Sequence, residues 1–145
     1  MMMENIERFV REIETKNLLF SWLCKETISC YNSGNYFAAF MTLSTLSEQV
    51  IREKADSTDG NLSDAIILLE TSGKLSHEHA ALLDDLFLKR ENAVFYMYSS
   101  NMVLGKDEYL YSYADEETWE YFMKGNIEII LEVVADLAKF LRVHI

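Results

Sequence analysis

The sequence predicts an all-α fold, an antiparallel bundle of about five helices, and three observations predict it. No proline occurs in 145 residues and only 5 glycines do, so little interrupts a helix. Apolar residues recur at three- and four-residue spacing along most of the chain. Half of the residues are hydrophobic and 26% are charged, a globular balance in a length suited to one domain over residues 1–145.

The first helical pattern covers roughly residues 3–32, with a break near Thr15–Asn17 and apolar positions at Ile6, Phe9, Val10, Ile13, Leu19, Trp22 and Leu23. The turn signal NSGN, residues 32–35, ends it. A second helix runs from Tyr36 to about Ala55, with Tyr36, Phe40, Leu43, Ser47, Val50 and Ile51 on one arc. After the polar loop DSTDGN, a short third helix starts at Leu62 behind Asn61 as cap and Asp64 in its first turn, and Gly73 comes after its last turn. Ser76 opens a fourth helix. The alternation of Tyr109, Tyr111 and Tyr113 has a period of two and suits an extended segment. Asp115 is placed to cap the last helix, whose stripe holds Trp119, Phe122, Met123, Ile130, Val133, Val134, Leu137, Phe140 and Leu141.

Charge narrows the function classes. A net charge of −11 and a pI near 4.6 repel polyanions, so a general coat for DNA or RNA is disfavoured, although a local basic pocket is not. The start, MMMENIERFVREIE, has no uninterrupted apolar run, so neither a leader nor a membrane span is expected. Cys24 and Cys30 are the only cysteines, and two reduced core thiols in a cytoplasmic protein are the expectation. His77 and His79 stand about 200° apart on a helix, poor geometry for sharing a metal. No phosphate loop, metal motif or cofactor motif is present.

One residue breaks the apolar pattern. In LFLKRENAVFYMY, residues 86–98, a helical wheel orders Leu82, Ala93, Leu86, Met97, Arg90, Leu83, Val94 and Phe87 across one face. Arg90 is therefore central to the core-facing arc. An unpaired buried guanidinium costs several kcal/mol, so the fold has to supply partners, or else the arginine's stem lies along the core with its charge in solvent. Glu48, at the edge of the second helix's arc, and Asn126, an amide in the last helix's stripe, are the candidates. The expected cluster is Arg90, Glu48 and Asn126.

The segment CYNSGNYFAAFMTLSTLSEQVIREKA, residues 30–55, resembles the second-helix signature of HEPN-domain proteins through Tyr36, Phe37, Ala38, Ala39, Glu48 and Arg52. NLSDAIILLETSGKLSHEHAALLDDLFLKRENAVFY resembles the remainder of that family's pattern: a short third helix, a turn, and the helix that bears an Arg…His motif. The likeness covers about residues 18–140. It implies a HEPN-like bundle and a homodimer, with metal-independent ribonuclease chemistry in active members, where arginine handles phosphate and histidine helps activate the ribose 2′-hydroxyl. Arg90 takes the arginine place and Asn92 resembles the motif's asparagine, displaced by one. The histidine place falls on Phe95 or Tyr96. No histidine lies between Arg90 and Asn101, and a tyrosine titrates near ~10 rather than near neutrality.

The last helix also has a wide apolar arc, with Ile127, Ile129 and Leu131 flanking its stripe, which suggests a partner, most simply a second copy. Three readings are open. The first is a non-catalytic, homodimeric interaction or regulatory module in a defence or toxin–antitoxin-like setting. The second is a divergent ribonuclease using Arg90 and Tyr96. The third is a nucleotide- or small-anion-sensing domain. Arg90, Asn92, Tyr96, Glu48 and Asn126 are the residues on which they turn.

Overall fold

A computed structural model of the chain describes residues 7–8, 10–11, 17–56, 60–96, 102–104, 110–112 and 115–139, with backbone alone for Phe95, Tyr96 and the two strands. Five helices make up most of it: α1 (Leu18–Asn32), α2 (Tyr36–Ala55), α3 (Leu62–Thr71), α4 (His77–Tyr96) and α5 (Glu116–Ala138). The architecture is an all-α bundle with one small addition. Strands β1 (Met102–Leu104) and β2 (Leu110–Ser112) pair antiparallel between α4 and α5, Val103 opposite Tyr111. The period-two tyrosine pattern is extended where it is described.

Local chemistry sets the helix ends. The Asn17 side chain accepts the N–H groups of Leu19 (3.0 Å) and Phe20 (3.2 Å), satisfying two of the donors orphaned at a helix start. That cap starts α1; Thr15 and Lys16, the rest of the expected break, lie outside the described residues. Asn61 accepts from Ser63 N–H at 2.8 Å and opens α3, and Ser76 Oγ accepts from His79 N–H at 3.1 Å to open α4. Gly34 and Gly73 take the left-handed φ of +79° and +78° that lets the chain reverse after α1 and α3. Asp115 holds the cap position of α5 with extended backbone, but its side chain makes no cap bond. The acids Glu116 and Glu117 in the next turn meet the positive helix end instead.

Helix α2 is central and packs against the other four. Its buried face carries Ala39, Phe40, Leu43, Leu46, Val50 and Ile51. Against α5, Phe40 meets Trp119 at 4.5 Å between ring centroids and Phe122 at 5.6 Å in an edge-on arrangement, geometries that aromatic quadrupoles favour. Polar positions on α2 resolve internally: Ser47 Oγ donates to Leu43 C=O at 2.7 Å and Ser44 Oγ to Met41 C=O at 2.9 Å. Across helices, Thr27 Oγ1 donates to Thr42 Oγ1 at 2.9 Å, joining α1 to α2.

Several expectations from the sequence are corrected here. Leu19 and Trp22 belong to the apolar pattern of the first helix, yet both are exposed; Leu23 faces the core as expected, joined by Phe20, Cys24 and Thr27. Val94, placed on the core arc of α4, is 54% exposed, because no described element covers the last turns of α4 on that side. Ile127 and Leu131 are buried within the chain, so the wide arc of α5 is filled by the molecule's own helices. Only Ile129 of that trio is exposed, and the width of the α5 arc no longer points to a partner. Phe140, Leu141, Tyr109 and Tyr113 lie outside the described residues.

Candidate functional site

Arg90 and Glu48 are brought together. An Arg90 terminal nitrogen (Nη2) lies 2.7 Å from Glu48 Oε1, linking α4 to α2. The two side chains are 25% and 23% exposed, so the arginine reaches neither the dry core nor open water. The other carboxylate oxygen, Oε2, accepts from Arg52 Nε at 2.8 Å one turn along α2. Arg52 in turn donates to the Gly60 carbonyl at 3.2 and 3.3 Å, tying down the approach to α3. A single carboxylate thus bridges two guanidiniums. Burial alone would raise the Glu48 carboxyl, but hydrogen bonds from Arg52 and Arg90, with their positive charges, outweigh it and hold Glu48 below its ordinary value. The guanidinium of Arg90 also lies over the Phe87 ring, 5.1 Å from its centroid.

Asn126 does not join this cluster. Its Nδ2 donates to the Phe122 carbonyl at 2.8 Å, so the amide sits in the stripe of α5 by satisfying its own helix. Asn92 is half-buried and stands two residues past Arg90, about 200° round α4, away from the Glu48 face. Tyr96 ends α4, and its side chain lies outside the described residues. His77 Nδ1 lies 2.7 Å from Glu70 Oε1 on the surface. Of the five residues singled out in the sequence, the structure joins two.

Arg90 also borders a cleft of about 660 Å³ between the start of α3 and the second half of α4. Asn61, Leu62 and Ser63 form one wall; Asp84, Phe87, Leu88 and Glu91 contribute to the other. Its volume falls in the range of ligand pockets, about 300–1,000 Å³. Its charge is unusual for an anion site. The one basic residue on the described walls is held by Glu48, which it shares with Arg52, whereas Asp84 and Glu91 add two acids. Burial and the charge of Glu70 hold the Asp84 carboxyl above its ordinary value. The sequence reading missed Asp84 and Leu88. The signal that could have found them is their spacing with Glu91, which places an acid, a leucine and an acid on one helix face.

Compared with known proteins, the chain matches no family model, no curated protein and no solved structure at a significant level. Among the described residues, no helix is long and apolar enough to cross a membrane.

Proposed function

We propose that this chain is a non-catalytic helical interaction module, a homodimer of the HEPN-like kind that its sequence resembles, acting in a defence, toxin–antitoxin-like or regulatory setting. The observation that carries the non-catalytic part is the Glu48–Arg90 pair. A phosphate seeking Arg90 has to displace a carboxylate held at 2.7 Å. That carboxylate is favoured in its charged form by a second arginine. An arginine so committed positions α4 against α2 rather than waiting for substrate. The missing histidine supports the same reading, since Phe95 and Tyr96 offer no group that exchanges a proton near neutral pH without strong perturbation. The acidic net charge of −11 adds long-range repulsion of RNA.

The test is direct. Purified protein is incubated with mixed RNA in EDTA beside the Arg90→Ala variant; the expected result is no cleavage that depends on Arg90. Cleavage lost in Arg90→Ala would install the ribonuclease reading in its place. The homodimer is tested by size-exclusion chromatography with light scattering, where a monomer at micromolar concentration counts against it. One observation favours a second reading, nucleotide or small-anion sensing: Arg90 borders the cleft beside the amino end of α3. Asp84 and Glu91 on the same walls oppose it. A thermal-shift screen in which nucleotides raise the melting temperature of the wild type but not of Arg90→Ala would bring it forward.

A further inference from the structure

On α4, Asp84, Leu88 and Glu91 stand at positions i, i+4 and i+7, so they share one face of the helix. Two carboxylates are thereby set about 10.5 Å apart along the axis with a leucine between them. All three border the cleft. Leu88 is 55% exposed, Val94 is exposed to nearly the same degree, and Phe87 and Leu62 continue the apolar surface inward. Among the described residues, neither Asp84 nor Glu91 has a basic partner. The cleft therefore combines apolar side chains with two acids and the polar Asn61 and Ser63, and its arginine shares the Glu48 carboxylate with Arg52.

We propose that this cleft docks a basic amphipathic helical segment of a partner protein, with lysine or arginine residues seven positions apart set against Asp84 and Glu91, an apolar side chain between them set on Leu88, and a further one past the second basic residue set on Val94. The inference rests on the interaction-module reading and specifies its partner. Charge complementarity selects the occupant. An acidic or phosphorylated segment would meet two uncompensated carboxylates, and the charge of −11 would slow its approach. A basic segment is steered by the same field, and its cations relieve the like-charge crowding around Asp84. A helix fits better than an extended chain, because residues i and i+7 return to the same face two turns on, the spacing that the acids present. A small polyamine would satisfy the acids but leave Leu88 and Val94 in water.

The experiment uses the full chain and a labelled amphipathic peptide with lysines seven positions apart and leucines between them, read by fluorescence anisotropy. A second peptide has the same composition with its lysines at other spacings. The seven-spaced peptide is expected to bind about tenfold tighter than the respaced one, and to lose about tenfold on the double change Asp84→Asn, Glu91→Gln. Leu88→Ala is expected to weaken binding as well. The charge-reversed protein, Asp84→Lys with Glu91→Lys, is expected to take up a glutamate version of the peptide instead, which shows that the altered chain still folds and binds. Equal binding of both lysine peptides, unaffected by the double change, reduces the effect to general charge and overturns the proposal, as does no binding. Spermidine binding that needs Asp84 and Glu91 but ignores Leu88→Ala overturns it in favour of a small cation. Arg90-dependent RNA cleavage would sink the module reading alone, since the docking contacts do not include Arg90.

Discussion

Replacing Glu48 by alanine removes the carboxylate that bridges Arg90 at 2.7 Å and Arg52 at 2.8 Å. Exposed ion pairs contribute about 0.2–1 kcal/mol, whereas breaking a fully buried pair costs about 3–5 kcal/mol. The three side chains are roughly a quarter exposed or less, so the cost lies between those limits, at about 1.5–2 kcal/mol. Arg52 keeps the Gly60 carbonyl and Arg90 keeps the Phe87 ring, which holds the value toward the lower end. For a chain of this size that corresponds to a fall in melting temperature of about 4–7 °C. The assay is thermal or urea unfolding of Glu48→Ala, Arg90→Ala and the double variant, with a coupling energy of about 1 kcal/mol between them. A pH series adds a second check. Glu48 is an acid whose folded value is depressed, so its contribution is complete above its unfolded value, about 4.3, and is lost as pH falls through the folded value. The gap between wild type and Glu48→Ala should therefore be full at pH 7 and shrink as pH falls past the unfolded value of about 4.3 and on through the lower folded one. A variant within about 0.5 kcal/mol of wild type at pH 7, the range of ordinary surface changes, would refute the reasoning.

Four further outcomes are expected. Phe40→Ala, which empties the space between Trp119 and Phe122, should cost about 3–5 kcal/mol in urea unfolding. Asp84→Asn should stabilise slightly at pH 7, within about 0.5 kcal/mol, and the gain should vanish as pH falls and the raised Asp84 carboxyl protonates in the wild type. Cys24 is wholly buried and its thiol is pushed up to about 12. Ellman's reagent should therefore titrate Cys30 alone in the native protein and both thiols in denaturant. Trp22 is exposed and Trp119 is buried, so acrylamide should quench the fluorescence of wild type far more than that of Trp22→Phe.

The range over which each signal acts decides what the sequence revealed and what it hid. Helix ends were legible because Asn17, Asn61, Ser76, Gly34 and Gly73 act within a few residues of themselves. The Glu48–Arg90 pair was legible because a charge on a core arc demands a partner, and few acids lie at the edge of a facing arc. Asn126 was misassigned since a wheel gives an angle without saying whether an amide prefers a neighbour or its own carbonyl four residues back. Leu19, Trp22 and Val94 were placed inside because periodicity marks an apolar face but not where the neighbouring element stops. The reverse error affected Ile127 and Leu131, whose arc is wide because more than one element packs on α5. The cleft needed the third dimension: it arises only when the start of α3 is laid beside the second half of α4.

The hydroxyls of α2 carry a last implication. Since Ser44 and Ser47 bond to their own helix, they fix nothing about how α2 is rotated among its neighbours. Among the described residues, directional polar bonds from α2 to neighbouring helices include Thr42 toward α1 and Glu48 toward α4, six residues or about 9 Å apart. Two such pins set the phase of a rod, and the apolar surface between them tolerates slip. Loosening both together should yield a chain that keeps its helix content while losing a single well-defined arrangement of its rings, visible as broadened aromatic resonances.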